Sequence, residues 1–137
     1  MDLLTHERRS LLMGRVRQKN TSAEIRVRKV AHGLGLRFRL HRKDLPGTPD
    51  IVFPKHRIAI FVHGCFWHRH AGCPRTTTPK TRNEFWIRKF EKNLERDKKV
   101  IIDLQRAGWQ VEVIWECETL KPLLLVDRIM RIFGFDP

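Results

Sequence analysis

Residues 45–73 read LPGTPDIVFPKHRIAIFVHGCFWHRHAGC, and the rest of the chain is organised around them. Residues 45–49 form a turn, because each proline fixes φ and the glycine relieves the backbone; Asp50 then opens the apolar run Ile51-Val52-Phe53. Residues 54–57, Pro-Lys-His-Arg, make a second turn. Residues 58–63 follow with apolar side chains at both parities, as in a strand buried on both faces. An antiparallel hairpin that pairs Phe53 with Ile58 places Asp50 opposite Phe61. The Asp50 side chain, the Val62 carbonyl and the His63 ring are then expected to meet at one end of a sheet.

That meeting has a chemical meaning. A carboxylate beside a backbone carbonyl is a hard-oxygen site suited to Mg²⁺, which keeps several waters and needs few protein ligands. Such an ion polarises a phosphoryl oxygen while a neighbouring imidazole takes a proton from the attacking water. His63 and His68 are the candidate imidazoles. Singly, Asp50 reads as a turn cap and His63 as a satisfied core histidine; their crowding into one short stretch favours a nuclease centre. A separate pattern overlaps it. Cys65, His70 and Cys73 are spaced C-x4-H-x2-C, and the third and last cysteine, Cys117, follows the apolar residues 111–115. Three thiolates and one imidazole make a closed tetrahedral shell for a structural Zn²⁺, stapling the loop after His63 to a distant strand. An odd cysteine count argues against a disulfide framework.

Working outward, Thr21-Ser22-Ala23-Glu24 reads as a capping box, with the glutamate reaching back to the cap, and Ala23, Val27, Val30, Ala31 and Leu34 continue at helical spacing until Gly33 and Gly35 end the run. Glu24 lies at the border of the buried face, where capping and holding a metal-bound water are compatible. Residues 37–40 alternate basic and apolar, as a strand with one face on the core does. The following His41-Arg42-Lys43-Asp44 reads as a solvated edge. Residues 74–82 are a polar loop whose Arg75, Lys80 and Arg82 are available to phosphates. Residues 83–107 are the longest helix, with Trp86, Phe90, Asn93, Leu94, Asp97, Ile101 and Leu104 on one stripe and Gly108 as the stop. Asp97 falls inside that stripe, and a buried carboxylate needs a partner, for which a histidine is the natural choice over Arg88, Lys92 or Arg96. Residues 110–115 form a strand, and Pro122 starts a last helix over 123–133 whose Leu125, Ile129, Ile132 and Phe133 cover the sheet. Residues 7–18, with arginines around Leu11, Leu12, Met13 and Val16, read as a short amphipathic helix or as an arm that orders on a partner.

The 137 residues suit one domain, 1–137, with residues 1–20 as an arm. Lys and Arg number 28 against 15 Asp and Glu, a formal charge of +13, which points to a polyanion and first of all to nucleic acid. No apolar run approaches the ~20 residues of a membrane span, and the first residues lack the apolar core of a signal peptide, so a cytoplasmic, nucleoid-associated protein is expected. The order helix, strands, long helix, strand, helix gives an α/β domain with a mixed central sheet flanked by helices.

The string FVHGCFWHRHAGC at 61–73, preceded by LPGTPDIVF and followed by PKTRNEFW, KNLERD and GWQVEVIWEC, resembles the very-short-patch repair (Vsr) mismatch endonucleases. The resemblance runs from about residue 9 to residue 117. It implies a restriction-endonuclease-like fold and nicking of duplex DNA on the 5′ side of the thymine in a T:G mismatch by a bacterial enzyme expected to act as a monomer, with mismatch-repair proteins as possible partners. Carried over, it makes Asp50 and the Val62 carbonyl the Mg²⁺ ligands, His63 and His68 catalytic histidines, and Asp97 and Glu24 supporting carboxylates. Cys65, His70, Cys73 and Cys117 fall on the zinc ligands. Phe66, Trp67 and Trp86 correspond to an aromatic wedge driven into the base stack, and Met13 to a minor-groove contact of the arm. Two departures stand out: Val62, where some relatives carry threonine, and Phe61-Val62-His63, where the wider superfamily has Glu-x-Lys. The competing readings are a related nuclease with another target and a zinc-stabilised binder of distorted DNA that does not cut.

Overall fold

The computed structural model describes residues 20–135, so Met13 and nearly all of the expected arm lie outside them. The elements are α1 (Ser22–Gly33), β1 (Arg39–Leu40), β2 (Ile51–Phe53), β3 (Ile58–His63), α2 (Asn83–Arg106), β4 (Gln110–Trp115), a 3₁₀ turn (Glu116–Leu120) and α3 (Pro122–Ile132). The four strands lie in the order β1-β2-β3-β4; the first two pairings are antiparallel and β3 with β4 is parallel. The sheet is therefore mixed, as its pattern of runs predicted. Phe53 pairs with Ile58 and Ile51 with Ile60, the register expected of the hairpin.

Only one half of the expected capping box forms. The Glu24 amide donates to the Thr21 hydroxyl at 3.1 Å, which caps α1 at a gain of about 1 kcal/mol. The Glu24 carboxylate, instead of reaching back to the cap, turns inward to Arg28 and His41. The reason is burial: Glu24 is 1% exposed, and a buried carboxylate gains more from the Arg28 guanidinium together with the His41 ring than from one amide.

One face of the sheet carries the main core, where Ile51, Phe53, Ile58, Ile60 and Ile114 meet Val27 and Ala31 of α1 and Leu125, Ile129 and Ile132 of α3. On the other face a smaller cluster joins Val52, Ala59 and Phe61 to Leu104 and Trp109. Burial of β3 on both faces follows from this two-sided packing. The long α2 buries only Phe90 and Leu104 of its predicted stripe. Midway along it, Asp97 reaches His68 in the loop that follows β3. The Gly47 turn is packed against α2: Gly47 has φ +71°, and a Cβ there would collide with the Val100 side chain.

Candidate active site and metal cluster

β3 and β4 end together, with His63 paired to Trp115. Two residues beyond each end stands a cysteine, Cys65 on one chain segment and Cys117 on the other. The parallel register thus sets a carboxylate pocket and a sulfur cluster side by side at the same end of the sheet.

The pocket is a cavity of about 470 Å³ bordered by Asp50, Val62, His63, His68, Asp97, His41 and Arg96. Asp50 accepts a hydrogen bond at 2.8 Å from the Val62 amide, which aims its carboxylate along the sheet end. Burial pushes Asp50 up to about 6, against the opposing pull of the Val62 amide and the Arg28 charge. His63 and His68 stack with ring centroids 3.7 Å apart and planes 7° apart. Burial, with the charge of His68 next, pushes His63 down to about 3, so it stays a neutral imidazole. His68 Nδ1 lies 2.7 Å from Asp97 Oδ2. Burial works to raise the Asp97 pKa, but the His68 hydrogen bond foremost, with the electrostatic pull of His68 and Arg96, outweighs it, and Asp97 ends below its ordinary value. The histidine partner expected for Asp97 is therefore present, and it is His68. Glu24 stands beside the pocket; one donor atom each of Glu24, His41 and Asp50 lies within 4.8 Å of the others.

In the second cluster, the donor atoms of Cys65, His70, Cys73 and Cys117 also lie within 4.8 Å of one another, and Cys117 Sγ is 3.4 Å from His70 Nδ1. Tetrahedral zinc with ligands at 2.0–2.3 Å needs ligand-to-ligand edges of roughly 3.4–3.8 Å, so this donor set can close on a metal ion. All three thiols are free. Burial pushes Cys65 up to about 12 and raises Cys117, whereas the Arg75 amide foremost lowers Cys73; a metal here would displace protons as it binds. The Thr76 hydroxyl donates to the His70 carbonyl at 2.7 Å and fixes the loop.

Phe66, Trp67 and Trp86 form a partly exposed aromatic group, with Phe66 to Trp67 at 4.8 Å and Trp67 to Trp86 at 5.7 Å between ring centroids. Phe90 backs it at 5.4 Å from Phe66. Lys89 hangs over Trp67 and Trp86. The sequence did not single out Arg69, which donates to the Thr77 carbonyl at 2.8 Å and lies 4.0 Å above Phe90, bracing the loop behind the group. It also missed Trp115, which stacks on His70 at 4.2 Å and turns its edge to His63 at 5.4 Å. Of the loop cations, Arg75 pairs with Glu116 at 3.4 Å and Arg82 lies over Phe85.

These features define an α/β domain with an open carboxylate and histidine cavity beside a cluster of three cysteines and one histidine. The family model described as "DNA mismatch endonuclease Vsr" matches residues 1–75. The type II nicking enzyme V.XorIIP of Xanthomonas oryzae pv. oryzae is 55% identical over 131 residues, covering 96% of both chains. The DNA mismatch endonuclease Vsr of Escherichia coli K12 is 45% identical over 126 residues, 88% of this chain and 80% of that relative. The type II nicking enzyme V.NmeAIP of Neisseria meningitidis is 38% identical over 131 residues, 96% of this chain and 93% of the relative. The chain belongs to the Vsr family of DNA mismatch endonucleases: it is a DNA-nicking endonuclease with a restriction-endonuclease-like fold, and its substrate is DNA. Among the described residues no helix is long and apolar enough to cross a membrane.

Proposed function

We propose that the enzyme hydrolyses one phosphodiester on the 5′ side of the thymine in a T:G mismatch, using Mg²⁺ held by Asp50 and the Val62 carbonyl and a structural Zn²⁺ held by Cys65, His70, Cys73 and Cys117. The observation that carries this reading is the row Asp97, His68, His63 meeting Asp50 in one cavity. Bound Mg²⁺ supplies charge neutralisation at the phosphoryl oxygens. The protein's own groups do the rest. Asp97 accepts from His68 Nδ1, fixing the tautomer that leaves His68 Nε2 to take the proton of the attacking water. His63, neutral and stacked on His68, holds that ring in place. Asp50 must be ionised to work, and Arg28 beside Glu24 favours that state.

Phe66, Trp67 and Trp86 act as the wedge. Opening a base step costs a few kcal/mol, least at a mispaired step, so preference for a mismatch arises partly from ease of deformation. The arm with Met13 is assigned to the minor groove. The test is incubation with Mg²⁺ and labelled duplexes holding T:G, another mismatch or T:A at one position. Nicking of T:G alone is the expected result. Binding without product, or cleavage of matched duplex, contradicts it. The relatives named as type II nicking enzymes support the part of this reading in which one strand is cut.

A further inference from the structure

We infer that His41 is a direct ligand of the active-site cation, making the site one of two carboxylates and an imidazole that holds Mn²⁺ in preference to Mg²⁺. The inference deepens the proposed function and rests on Asp50 being the metal ligand there.

Three elements bring the donors together. Glu24 comes from the first turn of α1, His41 from the residue after β1, and Asp50 from the residue before β2. The β1–β2 pairing sets His41 against Asp50: Leu40 pairs with Ile51, and the His41 amide donates to the Asp50 carbonyl at 3.0 Å. That latch holds the His41 backbone beside Asp50. The ring borders the same cavity as Asp50. Its Nε2 lies 2.9 Å and 3.0 Å from the two oxygens of Glu24. One donor atom from each residue falls within 4.8 Å of the other two, close to the roughly 4.2–4.6 Å that separates opposite ligands held at 2.1–2.3 Å from one ion.

Charge leaves room for the ion. Two carboxylates and one guanidinium, Arg28 on Glu24, sum to one negative charge before a dication enters. Ligand type then selects among dications. Mg²⁺ prefers an all-oxygen shell with retained waters, whereas imidazole suits the transition ions. A site of Asp50, the Val62 carbonyl and water alone discriminates little by ligand softness. Adding His41 gives the transition ion a nitrogen donor that Mg²⁺ uses poorly.

The experiment uses the full chain loaded with zinc, so that Mn²⁺ reports only on the carboxylate pocket. Pulsed electron spin-echo spectroscopy of bound Mn²⁺ is expected to show modulation from a directly coordinated ¹⁴N, absent in His41→Gln. The substitution is expected to weaken Mn²⁺ at least fivefold and to shift Mg²⁺, measured by competition, less than twofold. A wild-type spectrum without ¹⁴N coupling overturns the inference even where the variant fails to fold. Coupling that persists in His41→Gln overturns it too, since it assigns the nitrogen to His63 or His68. Asp50→Asn separates the two readings: normal binding of both ions by that variant removes Asp50 as ligand and sinks the underlying reading whatever His41 does.

Discussion

Two ion-ready clusters sit at the same end of the sheet and are built from opposite chemistry. Around Asp50 the donors are carboxylate oxygens and imidazoles open to a cavity, with room for water and substrate. Around Cys65 they are three sulfurs and one imidazole, closed on each other, with the Cys65 side chain fully buried. A closed shell holds a fold together and an open one leaves a position for chemistry. Under the proposed function a small basic domain divides labour: a metal-closed sulfur cluster would clamp the ends of β3 and β4 and so hold His63 and the loop of His68 at the open pocket. Trp115 is the shared wall, flat against His70 and edge-on to His63.

The strongest effect is expected at the sulfur cluster. Cys117→Ala removes one of four ligands, and zinc content should fall with it; a loss of at least about 3 kcal/mol lowers Tm by roughly 10 °C in calorimetry. An unchanged Tm with full zinc content would deny the cluster its structural role. Next comes the pocket's base. Asp97→Asn keeps the shape but no longer favours the His68 tautomer proposed to act as base, and single-turnover nicking should fall about a hundredfold with DNA affinity within threefold. A smaller effect is expected at the wall. Trp115→Leu should slow nicking by roughly tenfold with zinc retained, and Trp115→Phe should restore most of it, because small displacements of catalytic groups are costly.

The mildest expectation concerns pH. Asp50 is raised from its ordinary value to about 6, so the metal-free fold favours its protonated form. Its contribution to stability is present at acidic pH and is lost as pH rises through about 6. A dication reverses the sign, since it binds only the carboxylate. Added Mg²⁺ should therefore raise Tm at pH 7.5 and not at pH 5, and a Mg²⁺ effect of equal size at both would contradict the burial of Asp50.

How much of this was legible in the sequence differs between the same two regions. The sulfur cluster was readable almost entirely, because Cys65, His70 and Cys73 are close in sequence and Cys117 is the only remaining thiol. The hairpin was readable too: apolar parity and two turns fixed the Phe53–Ile58 register and hence Asp50's place. A carboxylate in an apolar stripe announced that Asp97 needed a partner, though which histidine took it depended on the loop path. His41 was not legible in the same way. It sits in the run His41-Arg42-Lys43-Asp44, which reads as solvated, and only the β1–β2 pairing across an irregular ten-residue connection brings it to Asp50. Glu24 misled for a related reason: the capping signal is local, whereas the partners that capture its side chain arrive partly from outside α1. Trp115 was read as a strand residue, and nothing in its spacing shows that two histidines flank it.

The central claim is that the open pocket cuts while the closed cluster holds. Single-turnover nicking of a T:G duplex by Asp50→Ala, with DNA affinity and zinc content measured on the same sample, tests it most directly. The account predicts nicking reduced by at least about a thousandfold, some 4 kcal/mol of barrier, with affinity and zinc both unchanged. Nicking at the wild-type rate by Asp50→Ala would contradict it.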